Sequence, residues 1–247
     1  MTQSILVIGA TSAIAQQVAR RYAETGAHLF LAARSAGHLE AVAADLQARG
    51  AAAVDTFVVD ADDSAGVAAM LRAAWDALGT VHVALVAFGS LPDQERAASD
   101  TEYLKAQFRT NAESVLVCLA ALAPRFVSQR NGVIAVIGSV AGDRGRAGNY
   151  LYGSAKAAVE AFASGLRAQL QREGVHLLTV KPGFVATPMT AHLHLPPLLT
   201  AQPDAVAARI VRAIDGRWNV VYVPWFWWPI MTVIRCLPEA LFKRLRL

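Results

Sequence analysis

Four side chains carry the chemistry that this sequence can do: Tyr152, Lys156, Ser139 and Asn111. Tyr152 and Lys156 stand at the two ends of Tyr152-Gly153-Ser154-Ala155-Lys156, a spacing that puts both on one face of a helix. A phenol with a pKa of about 10 is a poor acid or base at neutral pH. A neighbouring ammonium favours the phenolate and lowers that value, as a proton-transfer group requires. The pair alone does not define a site, because a core tyrosine beside a surface lysine has the same spacing. Ser139, in Gly138-Ser139-Val140-Ala141-Gly142, follows an apolar run that reads as a strand. Ligands of open α/β sheets bind beyond the carboxyl ends of strands, so its hydroxyl faces the expected crevice. There it can donate to a carbonyl oxygen that Tyr152 protonates. Asn111, in Arg109-Thr110-Asn111-Ala112, is a poor helix former inside a helical stretch. An amide at that place fits a held water or a functional kink.

A second set of residues suits a dinucleotide. Gly9-Ala10-Thr11-Ser12-Ala13-Ile14-Ala15 lies between an apolar run and a helical segment. A tight turn there aims backbone N–H groups and a helix N-terminus at a pyrophosphate. Gly9 permits the turn, Thr11 and Ser12 supply hydroxyls, and Ala13 and Ala15 replace the usual glycines; an ordinary small-residue turn is the alternative. The second apolar run ends in Ala32-Ala33-Arg34-Ser35. An acidic residue here binds the ribose 2′-hydroxyl of NAD, whereas an Arg accommodates a 2′-phosphate. Ala33 followed by Arg34 therefore points to NADP(H), a surface Arg being the plain alternative. Asp60, with Ala61 beside it, can accept from an adenine amino group or cap a helix.

The elements that must position these groups alternate short apolar runs with Ala/Leu-rich segments of helical period. Strands are expected over residues 4–9, 28–33, 53–59, 81–88, 133–138, 175–181 and 220–223. Helices are expected over 12–25, 36–49, 64–78, 101–129, 149–173 and 204–216, with a polar loop after residue 88 and a Pro-rich apolar stretch over 182–203. The strand runs are continuously apolar, as in a sheet covered on both faces. The fold class is α/β, a doubly wound Rossmann-type parallel sheet of about seven strands with helices on both faces. Residues 1–224 form one dinucleotide-binding and catalytic domain, and 225–247 an apolar aromatic/basic tail.

With these pieces in this order, the sequence resembles the short-chain dehydrogenase/reductase family along nearly its whole length. The resemblance rests on the residue 9–15 loop, Asp60, Ala87-Phe88-Gly89-Ser90, Asn111, Ser139, Tyr152, Lys156 and Pro182-Gly183-Phe184-Val185-Ala186-Thr187. It implies Tyr152 as general acid/base, Ser139 as the group that polarises the carbonyl, and Asn111 as holder of a proton-relay water. It implies Lys156 on the nicotinamide ribose, Gly89 (after Ala87) near the adenine ribose, and Val185 and Thr187 at the nicotinamide amide, with Pro182 and Gly183 leading in. The activity implied is hydride transfer between NADP(H) and an alcohol/carbonyl pair.

Composition narrows the remainder. At 247 residues, 55% hydrophobic and 17% charged, the chain builds a substantial core and is not disordered. A net charge of +4, largely scattered, argues against a nucleic-acid partner. Two cysteines make no disulfide framework, and residues 1–4 show no secretory signal, so a cytoplasmic location is expected. The apolar stretch 188–199 lies where a substrate lid belongs and favours a hydrophobic or lipid-linked substrate. Its His192 and His194 lack a third ligand and read as loop residues rather than a metal site. The tail, Pro224-Trp225-Phe226-Trp227-Trp228-Pro229 and onward, ends in Lys243, Arg244 and Arg246. Clustered indoles beside cations suit a peripheral membrane contact; a subunit contact or a flap over the site are the alternatives. Within the family, the loop and tail together look like bacterial reductases of polyprenyl-phosphoryl keto-sugars, with Arg144 and Arg146 facing the phosphate or simply solvated. The family also implies a homodimer or homotetramer. A non-catalytic nucleotide sensor and a membrane-recruited interaction protein are the competing readings. The intact Ser139, Tyr152 and Lys156 set argues against both.

Overall fold

In the computed structural model, which describes residues 2–245, the first apolar run forms strand β1 (Ser4–Ile8), buried throughout. Ile5 and Val7 enter one hydrophobic cluster while Leu6 and Ile8 enter another. Alternate side chains leave opposite faces of a strand, so a continuously apolar run needs cover on both sides.

The chain then alternates helix and strand: α1 (Ala13–Ala23), β2 (His28–Ala33), α2 (Ala36–Ala48), β3 (Ala53–Val58), α3 (Ser64–Leu78) and β4 (Val83–Val86). The supposed polar loop after β4 contains a short helix, α4 (Gln94–Ser99), capped by Asp93 through the Glu95 and Arg96 N–H groups. Next come α5 (Thr101–Phe108), a π-helical turn (Arg109–Glu113) and α6 (Ser114–Gln129). Strand β5 (Val133–Ile137), helix α7 (Tyr150–Gln171) and strand β6 (His176–Pro182) complete the catalytic half.

The Pro-rich apolar stretch holds a second, two-stranded sheet, β7 (Phe184–Val185) with β8 (Thr200–Ala201). Helix α8 (Pro203–Asp215), strand β9 (Val220–Val223), α9 (Trp227–Cys236) and α10 (Glu239–Phe242) follow. The main sheet has seven parallel strands, as expected, in the order β3-β2-β1-β4-β5-β6-β9. Strand order reverses between β1 and β4, where a doubly wound sheet opens its ligand crevice.

Candidate active site

The crevice is a cavity of about 370 Å³ across the carboxyl ends of β1, β2, β4, β5 and β6. It is lined by Gly9, Thr11, Ser12, Ala13 and Ile14 at the first turn, and by Arg34, Asp60 and Ala61 at one end. Ala87 and Gly89 line its middle; Ser139, Tyr152, Lys156, Pro182, Gly183, Val185 and Thr187 line the other end. Every residue expected at the cofactor therefore borders one cavity. Asn111 does not: it is fully buried behind the wall.

The first turn is shaped for a close visitor. Gly9 has φ +86°, and a Cβ on it would stand 2.7 Å from the Phe88 nitrogen. Only glycine lets the β1 turn pass so near the end of β4. Ser12 makes no side-chain cap to α1, so the helix N-terminus keeps donors for an anion. These features fit a pyrophosphate. Arg34 is exposed on the rim, and Asp60 accepts from the Asp62 N–H at 3.0 Å. Asp60 is no helix cap, because Asp63 caps α3.

The proton-transfer groups come together as their spacing predicts. Lys156 is buried, its Nζ donating to the Ile137 carbonyl at 3.1 Å and lying 5.6 Å from the Tyr152 ring centroid. The Ser139 hydroxyl accepts from the Ala141 N–H at 3.1 Å, which leaves its proton free to donate. The sign of the Tyr152 shift, however, is opposite to the expectation from Lys156. Burial pushes the phenol up to about 12, with the Glu160 carboxylate adding to this and Ser139 opposing it. Burial likewise pulls Lys156 down to about 8, against the attraction of Glu160. Desolvation of a phenolate outweighs an ammonium whose hydrogen bond is spent on a carbonyl. Tyr152 in this state is an acid, holding a proton ready for a developing alkoxide.

Asn111 sits in the π-helical turn, the kink its residue type suggested. Its amide donates to the Gln107 carbonyl at 3.0 Å and the Ser90 hydroxyl at 3.1 Å, while its Oδ1 accepts from the Ser90 N–H at 2.9 Å. The side chain thus pins the loop after β4. A Cβ on Gly89 would lie 2.9 Å from this Oδ1 and 3.7 Å from the Lys156 Nζ, so Gly89 brings the three elements together.

Sequence reasoning missed what lies beneath Ser139. Glu160 follows Lys156 by one more turn of α7, and its carboxylate accepts from the Ser139 N–H at 3.0 Å. Lys181 pairs with Glu160 at 2.8 Å and with Asp143, which also accepts from the Tyr222 hydroxyl at 3.0 Å. Gly138 and Gly142 make room: a Cβ on either would stand within 2.8 Å of the Glu160 carboxylate. The available signals were the spacing of 152, 156 and 160, and a charge inside the apolar run Val180-Lys181-Pro182. Asp62, likewise unforeseen, borders the cavity and accepts from the Thr110 and Ser114 hydroxyls.

The tail also departs from the expectation. Trp227 and Met231 are buried with Val140, the residue after Ser139. Arg144, a candidate phosphate ligand, instead donates to the carbonyls of Ile234 and Leu237, each at 2.6 Å, and pairs with Glu239 at 2.8 Å. Trp225 and Trp228 remain 70% and 61% exposed, and Arg246 lies outside the described residues.

A doubly wound sheet with a half-buried Tyr152, a buried Lys156 and a serine at the crevice defines an oxidoreductase of the nicotinamide-dinucleotide class. Residues 3–196 match the short chain dehydrogenase family, and the chain belongs to it. An uncharacterized oxidoreductase of Mycobacterium tuberculosis is 39% identical over 98% of this chain and 96% of its own. A 3-oxoacyl-[acyl-carrier-protein] reductase of Synechocystis is 32% identical over 84% of this chain and 87% of its own. Among solved structures, a short-chain dehydrogenase from Sphingobium yanoikuyae in complex with NADPH is similar. It superimposes with a TM-score of 0.82 at 27% identity, covering 99% of this chain and 96% of that one.

Proposed function

We propose that this protein is an NADP(H)-dependent reductase of a hydrophobic, lipid-linked carbonyl, working against a membrane surface. The observation that carries the reaction is Tyr152, a half-buried phenol held neutral beside Ser139 at the end of the cleft. When bound, the reduced nicotinamide supplies the hydride. The Ser139 hydroxyl orients and polarises the carbonyl oxygen, and Tyr152 gives that oxygen its proton as the alcohol forms. Lys156 holds the ribose side of the cleft and stabilises the phenolate left behind. Asn111, through the π-helical turn and the Gly89 loop, keeps the wall behind Lys156 in place, where a relay water restores the proton. NADP(H) is favoured because Ala33 occupies the place of an acid and Arg34 follows it on the rim. The NADPH held by the Sphingobium relative supports the same choice.

The substrate reading rests on exposed apolar side chains. Met189 lines the cleft and Leu198 is 93% exposed, while Trp225 and Trp228 present further apolar surface in a segment that also carries the exposed cations Arg235, Lys243 and Arg244. Indoles beside cations fit an anionic bilayer interface. In this reading residues 1–224 are the catalytic body, residues 225–247 touch the inner face of the membrane, and the chain assembles as a homodimer or homotetramer.

The reaction is tested with NADPH and a panel of ketones that includes long-chain ones. Turnover lost by at least about a hundredfold in Tyr152→Phe, with NADPH binding kept, is the expected result. No turnover of any ketone by a protein that binds NADPH sinks the enzyme reading. Membrane contact is tested by co-sedimentation with phosphatidylglycerol vesicles. Trp225→Ser/Trp228→Ser changes only exposed residues; equal sedimentation of this variant and the parent removes the membrane part.

A further inference from the structure

Besides the two clusters on the faces of the sheet, a third hydrophobic cluster lies under the catalytic end of the cleft. Its buried members are Val140, Trp227 and Met231, with Phe184 and Leu199 packed against them. Val140 follows the serine that faces the carbonyl, Phe184 lies between the cleft residues Gly183 and Val185, and Leu199 belongs to the lid. One helix of the tail, α9, therefore supports three segments that the site needs in register.

Two contacts do most of the fastening. The Trp227 indole lies flush on Gly183: a Cβ there would stand 1.9 Å from its Nε1. The same ring meets Phe184 edge to face, centroids 5.2 Å apart. Nothing but glycine at 183 lets the tail approach this closely. The second contact starts from Arg144 in the loop between Ser139 and Tyr152. Its guanidinium takes the carbonyls of Ile234 and Leu237 at the end of α9, pairs with Glu239, and lies 3.8 Å from the centroid of the Phe242 ring. A planar donor fork can satisfy several acceptors and stack on a ring at once, which an ammonium cannot.

We propose that Trp227 and Arg144 are positioning residues through which the C-terminal segment sets the active geometry. Trp227 holds the nicotinamide side and Arg144 the carbonyl side. The tail then braces the walls of the site from behind, its inner face committed to catalysis and its exposed Trp225 and Trp228 turned outward. This inference rests on the reductase reading for its kinetic part but not for its binding part.

The test uses the full chain and the variants Trp227→Ala, Trp227→Phe, Arg144→Ala and Arg144→Lys, each confirmed folded by its melting transition. NADPH affinity is measured by calorimetry, and kcat and KM with whichever panel ketone the parent reduces. Trp227→Ala is expected to weaken NADPH binding at least about tenfold, with Trp227→Phe restoring most of it by keeping a ring on Gly183. Arg144→Ala is expected to lower kcat about tenfold or more while NADPH affinity stays within about twofold, and Arg144→Lys is expected not to rescue it. Variants that melt earlier but keep parental NADPH affinity and kcat overturn the proposal. If the parent reduces no ketone, the reductase reading fails by itself, and the NADPH affinity of Trp227→Ala alone decides this one.

Discussion

Removing the Lys181 cation is the sharpest test of the charge network beneath Ser139. Lys181→Met keeps the length and apolar stem of the side chain but leaves Asp143 and Glu160 with no cation between them. The three side chains are 9%, 3% and 12% exposed, so water cannot take its place. Breaking a buried pair from one side costs about 3–5 kcal/mol, because the surviving charge stays desolvated. Two donors remain, the Tyr222 hydroxyl on Asp143 and the Ser139 N–H on Glu160, which places the expected loss nearer ~3 kcal/mol.

The loss must depend on pH in a definite direction. Burial already raises the Glu160 pKa above its ordinary 4.5, with Lys181 as the main opposing influence. A raised folded-state pKa contributes stability at low pH that is lost as pH climbs through the folded value. Without Lys181 that value rises further, so the window widens upward. Within it each extra proton held by the folded state makes stability fall by about 1.4 kcal/mol per pH unit. Urea unfolding at pH 5 and pH 8, with equal slopes for parent and variant, reads this directly. The deficit should be largest at pH 8 and shrink toward pH 5 as the Glu160 carboxyl takes up a proton. A deficit under about 1 kcal/mol at pH 8, or an equal deficit at both, would refute the assignment of Lys181 as a buried counter-charge.

Two further outcomes follow from the cleft. Arg34→Ala should weaken NADPH binding by roughly tenfold to a hundredfold, the worth of a charge-assisted hydrogen bond, and leave NADH nearly unchanged; equal losses for both contradict the 2′-phosphate assignment. In the free enzyme, kcat/KM for reduction should fall above about pH 8 as Lys156 loses its proton. Lys156→Arg keeps its charge and should move that limb upward even if its peak rate is lower; an unmoved limb assigns it to another group.

The family, the sheet and the Tyr152, Lys156 and Ser139 set were legible in the chain because each is a local pattern. Continuous apolar runs demand a doubly covered sheet, and four residues on a helix share a face wherever the helix lies. At Asn111 residue type offered a held water or a kink, and the π-helical turn matches the second. What the chain alone did not give are quantities that exist only once distant segments touch. The Tyr152 shift is one: spacing supplies the ammonium, but burial by the whole fold decides that the phenol stays neutral. Glu160, Lys181 and Asp143 are another, brought under Ser139 from a helix, a strand and a loop by the order of β5, β6 and β9. The tail is the third. Its composition announced exposed indoles beside cations, yet only packing decided that Trp227 turns inward onto Gly183 while Trp225 and Trp228 face out. Composition sets what a segment can bury, and the shape of the surface it meets decides which side chains it does bury.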